Sequence, residues 1–269
     1  MNIKNNENSK SSPIGVFDSG IGGLSITSEI INSLPNENII YLSDNRYAPY
    51  GEQSESFLNK RIIEIADFFV SHNAKAIVVA CNTATVNAIA TLRAYVDIPI
   101  IGVEPAIKPA AASSTNKKVG ILVTRATASN QHFLSLIEKY KNGAEVFVQP
   151  CPHLVNHIEH GDLNATELRG LLTEYVFPLM EANIDTLVLG CTHYPFVADI
   201  IEQITRGNIH IMDTAKPVTE QLIRKLNEHV LLNASEQVGE LSIFSSQLKT
   251  THKNIIANLI TKDFTLNSF

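Results

Sequence analysis

AIVVACNTATV, residues 76–86, and TLVLGCTHYPF, residues 186–196, decide the architecture of this 269-residue chain. Each opens on a short apolar run, passes one small residue (Ala80 or Gly190), reaches a cysteine, and continues with hydrogen-bonding residues where a helix is expected to start. Continuous apolar runs of this length read as strands buried on both faces of a parallel sheet. Cys81 and Cys191 lie 110 residues apart. The same device therefore occurs twice, which predicts two similar α/β halves, each offering a thiol from the carboxyl end of a strand.

Outward from these stretches, short apolar runs alternate with longer helical patterns, the signature of βα units. Strands are expected at Ile14–Phe17, Ile39–Leu42, Ala76–Ala80 and Ile98–Val103, then at Val119–Val123, Glu145–Val148, Thr186–Leu189 and Ile209–Met212, with a short last one at Leu241–Phe244. Helical periodicity covers Glu55–His72, where Phe57, Ile62, Ile65, Phe68 and Phe69 recur on one side, and also Leu168–Ala182 and Val197–Thr205. A final helix is expected around Asn254–Ile260. The fold class is α/β: two similar parallel-sheet domains related by pseudo-symmetry, with the active site between them. The softest boundaries lie at Val103–Pro109 and near Asp213–Pro217. These divide the chain into a disordered tail (1–12), a discontinuous first domain (13–103 plus 214–269) and an inserted second domain (104–213).

Composition narrows the function classes. Apolar residues make up 44% and charged residues 18%, ordinary values for a chain with a substantial core. A formal charge of −6, from 21 basic and 27 acidic residues, leaves no electrostatic footprint for nucleic acid. No apolar run reaches membrane-span length, and the polar start MNIKNNENSKSS lacks the centre of a signal peptide. The expected compartment is the cytoplasm, with neither nucleic acid nor membrane as partner. Three cysteines, Cys81, Cys151 and Cys191, are too few and too dispersed for a disulfide framework. In a reducing compartment each is inert core or a working thiol.

Open α/β sheets bind ligands at the carboxyl ends of their strands. A cysteine placed there, at a helix N-terminus, has its thiolate stabilised by free backbone N–H groups and the helix dipole. One such cysteine reads best as a small buried hydrophobe; two in a repeated context read as a pair. Two thiols on opposite faces of a substrate suit stereoinversion at an amino-acid α-carbon, where a proton leaves one face and another arrives on the opposite one. Carboxylates or histidines beside the thiols would tune and relay those protons. Asp18, after the first strand, His193, two residues beyond Cys191, and Glu159, in a helical stretch after Cys151, are the candidates. Each also has a plain structural reading, Asp18 as a helix cap and His193 as a satisfied helix-start residue. The glycines of DSGIGGL (18–24) do not make a dinucleotide loop: Ser25 stands where the third glycine belongs, and no Walker lysine follows.

With these residues in place, the chain resembles the glutamate racemases of the aspartate/glutamate racemase superfamily from about Ile14 to its end. IGVFDSGIGGLSI (14–26), YLSDNRYAPYGEQS (41–54), VVACNTATV (78–86), GVEPAIKPA (102–110) and LVLGCTHYPF (187–196) carry the resemblance, in the right order. It implies that Cys81 and Cys191 are the two acid/base groups, with Asp18 assisting the first and Glu159 and His193 the second. Asp18 and Ser19 would approach the substrate amino group, near Thr124 and Thr127; Asn82, Thr83 and Thr192, beside His193, would bind the α-carboxylate. Pro49, Tyr50 and Gly51 would hold the distal carboxylate, and a turn with exposed backbone N–H groups suits that task independently. The resemblance further implies glutamate as the small-molecule substrate, no pyridoxal phosphate or other cofactor, no metal, and D-glutamate supply for peptidoglycan. It admits a homodimer, although no interface is legible. In ILVTRATASN (121–130) Arg125 departs from the family pattern.

Rival readings follow from other residues. His153, His157 and His160 at i, i+4 and i+7 would share a helix face near Cys151 and Glu159, which suggests a zinc or nickel site and a metal-dependent hydrolase. One helix cannot wrap a metal, and no second ligand cluster declares itself. A non-enzymatic receptor for small dicarboxylates would need the pocket but neither thiol. An aspartate or broad-specificity amino-acid racemase is the nearest chemical neighbour.

Overall fold

The computed structural model describes residues 9–104, 106–161, 166–247, 255–257, 259–260 and 262–269. They form two compact units: one runs to Val103 and resumes at Ala215, the other is Glu104–Thr214. In chain order the first unit contains β1 (Ile14–Asp18), α1 (Leu24–Ser33), β2 (Ile39–Ser43), α2 (Glu55–Ser71), β3 (Ala76–Val79), α3 (Asn82–Tyr95) and β4 (Ile100–Gly102). The second contains α4 (Ile107–Ser113), β5 (Lys118–Val123), α5 (Arg125–Ala128), α6 (Gln131–Tyr140), β6 (Glu145–Pro150), α7 (Leu154–His160), α8 (Thr166–Glu181), β7 (Thr186–Leu189), α9 (Ala198–Thr205) and β8 (His210–Met212). The chain then returns to the first unit with α10 (Ala215–Glu228), β9 (Leu241–Ser245) and β10 (Thr265–Ser268).

The six-stranded sheet of the first unit has the order β10-β9-β2-β1-β3-β4, and the four-stranded sheet of the second has β6-β5-β7-β8. Every paired strand is parallel. The order β2-β1-β3-β4 is repeated as β6-β5-β7-β8, so the sequence repeat is a repeat of topology. Its detail is reproduced as well. Ala80 N–H donates to the Phe17 carbonyl (2.7 Å), and Gly190 N–H donates to the Leu122 carbonyl (2.8 Å). Each small residue thus carries its strand past the sheet and hands the chain to a cysteine.

Burial follows the apolar runs. Every residue of β1, β2, β3 and β7 is buried, as strands covered on both faces must be. Edge strands β6, β8 and β10 are more exposed. Helix α2 begins at Ser54, whose hydroxyl accepts the Phe57 N–H (3.2 Å). It buries Leu58, Ile62, Ile65, Ala66 and Phe69, a stripe at helical spacing, in a cluster with Phe17, Ile77 and Val79. The second unit builds the corresponding cluster from Leu122, Leu172, Val176, Leu187 and Leu189. Each fully buried aliphatic side chain contributes about 1.5–3 kcal/mol relative to exposure.

Several expectations need correction. The fourth strand is shorter than Ile98–Val103 and spans Ile100–Gly102, since Pro99 has no N–H to give a ladder. A tenth strand, β10, pairs with β9; TLNS lacks an apolar run and sits at a sheet edge, where none is needed. Of the tail, residues 1–8 lie outside the described residues, while Ser9–Ser12 form a turn closed by Ser12 N–H on the Ser9 carbonyl (3.0 Å). The helix expected around Asn254–Ile260 is seen as helical backbone at 255–257 and 259; Asn254 and Asn258 lie outside the described residues. The second cysteine is followed by a turn and a 3-10 helix (Tyr194–Val197) before α9, whereas the first opens a long α-helix directly.

Candidate active site

In the first unit the carboxyl ends of β1, β2 and β3 bring together Asp18, Asp44 and Cys81. Cys81 is the N-cap of the fourteen-residue helix α3, with its Sγ 3.5 Å from the Ala84 N–H it accepts. The sulfur therefore sits at the positive end of a long helix, where a thiolate is favoured. Its Sγ also lies 3.7 Å from Ser19 Oγ. Asp18 is fully buried, and its Oδ2 accepts the N–H groups of Gly20 (3.3 Å) and Gly23 (2.9 Å). A Cβ on Gly23 would stand 2.7 Å from the Asp18 Cβ, so only glycine lets that loop close on the carboxylate. Asn82 and Thr83, the first residues of α3, are buried, and both polar atoms of the Asn82 amide lack a hydrogen-bond partner. An unsatisfied buried amide is costly unless a ligand completes it.

Pro49, Tyr50 and Gly51 follow Asp44 in the same unit, and Tyr50 packs in the apolar cluster that contains Cys81. The Tyr50 side chain is directed inward: its hydroxyl donates to Asp44 Oδ2 (2.6 Å). Burial, and then the Asp44 charge, push that hydroxyl well above its ordinary pKa, so it remains a donor. The Tyr50 phenol is accordingly committed to Asp44.

In the second unit the corresponding strand ends carry Thr124, Cys151 and Cys191. Gly190 precedes the thiol, and a Cβ there would fall 2.7 Å from the Leu122 carbonyl oxygen. Cys191 Sγ lies 3.9 Å from His193 Nδ1, and His193 Nε2 lies 2.6 Å from Glu159 Oε1. His193 is buried and the Glu159 side chain nearly so, at 12% exposure. With Nε2 donating to the carboxylate, Nδ1 turns a lone pair toward the thiol. The result is a carboxylate–imidazole–thiol line that can carry a proton. Thr192 is buried beside it. Thr124 caps α5 through the Thr127 N–H (3.3 Å), and the two threonine hydroxyls are 3.0 Å apart. Arg125, between them, is exposed.

Cys151 resolves as core. Its thiol contacts the Gln149 carbonyl (3.5 Å), and burial pushes its pKa far above the ordinary thiol value. The three histidines do not share a helix face as expected: His153 precedes α7 in the left-handed region (φ 65°) and only His157 and His160 lie in the helix. His160 Nδ1 turns to the Asn156 carbonyl, and His157 faces Glu167 at 3.9 Å. Among the described residues no three His, Cys, Asp or Glu side chains converge as a metal-holding group, and no helix is long and apolar enough to cross a membrane. Asp44, which is buried, and Arg61, whose side chain is 13% exposed, are charged residues near the site that sequence reasoning missed. Arg61 stands beside the α2 apolar stripe, where a charge ordinarily reads as solvated.

Comparison with known proteins agrees with this geometry. A protein-family model described as Asp/Glu/Hydantoin racemase matches residues 14–222. A glutamate racemase of Pseudomonas entomophila is 43% identical over 263 residues, 97% of this chain and 99% of that protein. Crystal structures similar to it include the Francisella tularensis glutamate racemase in complex with D-glutamate (TM-score 0.83, 30% identity, 96% of this chain and 97% of that one). The crystal structure of the Escherichia coli glutamate racemase in complex with L-glutamate and the activator UDP-MurNAc-ala is similar too (TM-score 0.84, 29% identity, 96% of this chain and 98% of that one). Repeated parallel sheets, a buried thiol at a strand end in each, and sequence similarity along nearly the whole length lead to one assignment: this chain belongs to the Asp/Glu/Hydantoin racemase family and is an isomerase.

Proposed function

We propose that the chain interconverts L- and D-glutamate without a cofactor, using Cys81 and Cys191 as its two acid/base groups. The observation that carries this reading is the pair of buried thiols, each at a strand carboxyl end and each provided with its own means of holding or passing a proton. One cysteine as thiolate removes the α-proton from one face while the other as thiol delivers a proton to the opposite face; the roles exchange with substrate handedness. Asp18 serves Cys81, and the His193–Glu159 pair serves Cys191. Charge developing at the α-carbon spreads into the α-carboxylate, so donors from Asn82, Thr83 and Thr192 act on the transition state and not merely on the bound substrate, with His193 beside them. The unsatisfied Asn82 amide suits this role. Asp18, Ser19, Thr124 and Thr127 would receive the amino group, and Pro49–Gly51 the distal carboxylate.

Glutamate is preferred to aspartate because the relatives that match along almost the whole chain are glutamate racemases, two of them described with D- or L-glutamate bound. The proposed role is supply of D-glutamate for peptidoglycan. Chelator-treated, cofactor-free protein incubated with D-glutamate, and separately with D-aspartate, tests the reading by polarimetry. Loss of optical rotation with glutamate and little with aspartate is expected. Unchanged rotation with both would overturn it.

A further inference from the structure

We propose that Arg61 is a positioning residue for substrate binding, acting through Asp44 and Tyr50 on the Pro49–Gly51 turn. The inference rests on the assignment of that turn to the distal carboxylate and extends it to a residue outside the site. Arg61 lies on α2 with a side chain only 13% exposed, and its Nε and Nη2 donate to the two oxygens of Asp44 at 2.8 and 2.7 Å. That is the bidentate fork which lysine cannot reproduce. Asp44 is fully buried and joins three segments: its N–H donates to the Asp18 carbonyl (2.9 Å), and its Oδ2 takes the Tyr50 hydroxyl as well as Arg61 Nε. Without Arg61 the carboxylate would be a buried charge with no cation beside it, and the segment it anchors would have to move.

The guanidinium is itself held. Its carbon is 4.9 Å from the Tyr47 ring centroid and 4.8 Å from that of Phe269, while Nη1 pairs with Glu64. Phe269 reaches this place because β10 extends the sheet alongside β9, with the Phe269 N–H on the Ser245 carbonyl (2.9 Å) and its ring 5.0 Å from Phe68. A chain of contacts thus runs from the last strand through Arg61 and Asp44 to the turn that would grip the substrate. None of these side chains needs to touch glutamate. Their effect falls on affinity.

The test measures D-glutamate Kd by calorimetry, with KM and kcat by α-deuterium exchange, in the full chain and in Arg61→Lys, Tyr50→Phe, Phe269→Ala and the Arg61→Lys/Tyr50→Phe double variant. Arg61→Lys should raise Kd and KM about tenfold while kcat changes much less, as loss of an interaction made equally to ground and transition states does. Phe269→Ala should raise Kd about threefold through a loosened guanidinium. The double variant should bind no more weakly than Arg61→Lys alone, because both substitutions break one linkage. If Arg61→Lys does not fold, Tyr50→Phe and Phe269→Ala carry the same test on Kd. Unaltered Kd in the folded variants, or additive losses in the double variant, would overturn the positioning role. Unmodified protein that binds glutamate without racemising it would defeat the racemase reading and leave this one standing.

Discussion

The two cysteine arms share a backbone and differ in their electrostatics. In the first unit Cys81 caps a fourteen-residue helix and takes the Ala84 N–H. In the second, Cys191 precedes only a turn and a 3-10 segment, and an imidazole backed by a carboxylate stands where the helix end would be. A helix end stabilises negative charge without exchanging a proton; an imidazole can accept one and return it. The repeat therefore supplies two thiols in equivalent places with unequal support. A reaction whose two directions begin at different thiols should feel that inequality when either support is removed.

The largest effect should come from the thiols themselves. Cys81→Ala or Cys191→Ala should lower racemisation by at least about 100-fold, the scale of a lost general acid or base, with the circular dichroism spectrum retained. An alanine variant with substantial turnover would break the comparison at its root. Next come the supports. His193→Ala should lower kcat in one direction about tenfold more than in the other, and Asp18→Asn should show the opposite bias, as expected when each group assists a different proton transfer. KM shifts in step, because an equilibrium constant of unity holds kcat/KM equal for the two enantiomers. Initial rates from pure D- and L-glutamate at saturating concentration read this, and equal loss of kcat in both directions would remove the asymmetry. Glu159→Gln should follow His193→Ala in direction with a smaller effect, since it acts only by orienting and polarising the ring.

The smallest effect concerns the shared backbone. Gly190→Ala places a Cβ 2.7 Å from the Leu122 carbonyl oxygen and should cost about 1–3 kcal/mol of stability. The reciprocal change at the matched position, Ala80→Gly, should cost about 0.5–1 kcal/mol. Urea denaturation of both variants measures the difference.

Much of this was legible in the sequence, and particular residues show why the rest was not. Nine strands announce themselves by apolar runs, most plainly β1, β2, β3 and β7, which are covered on both faces. The polar TLNS of β10 has no such run, and only pairing with β9 makes it a strand. Cys81 and Cys191 are visible through their repeated context, whereas the 2.6 Å pairing of His193 with Glu159 joins positions 34 residues apart in sequence and needs the fold to be seen. His153, His157 and His160 mislead for a local reason: their spacing assumes one helix, but His153 adopts a left-handed conformation outside it. Tyr50 stands in the expected segment, yet its hydroxyl is committed to Asp44, a partner that no spacing rule would name.

The central claim is that two separate thiols serve the two faces of the substrate. It is tested most directly by converting D-glutamate in deuterium oxide and measuring, by NMR at the first few per cent of conversion, the isotope at the α-carbon of the L-glutamate formed. Two thiols predict product carrying solvent deuterium throughout, since the proton removed and the proton delivered ride on different sulfurs. Early product that retains the substrate's own α-protium would mean that one group carries the proton across, and would contradict the account.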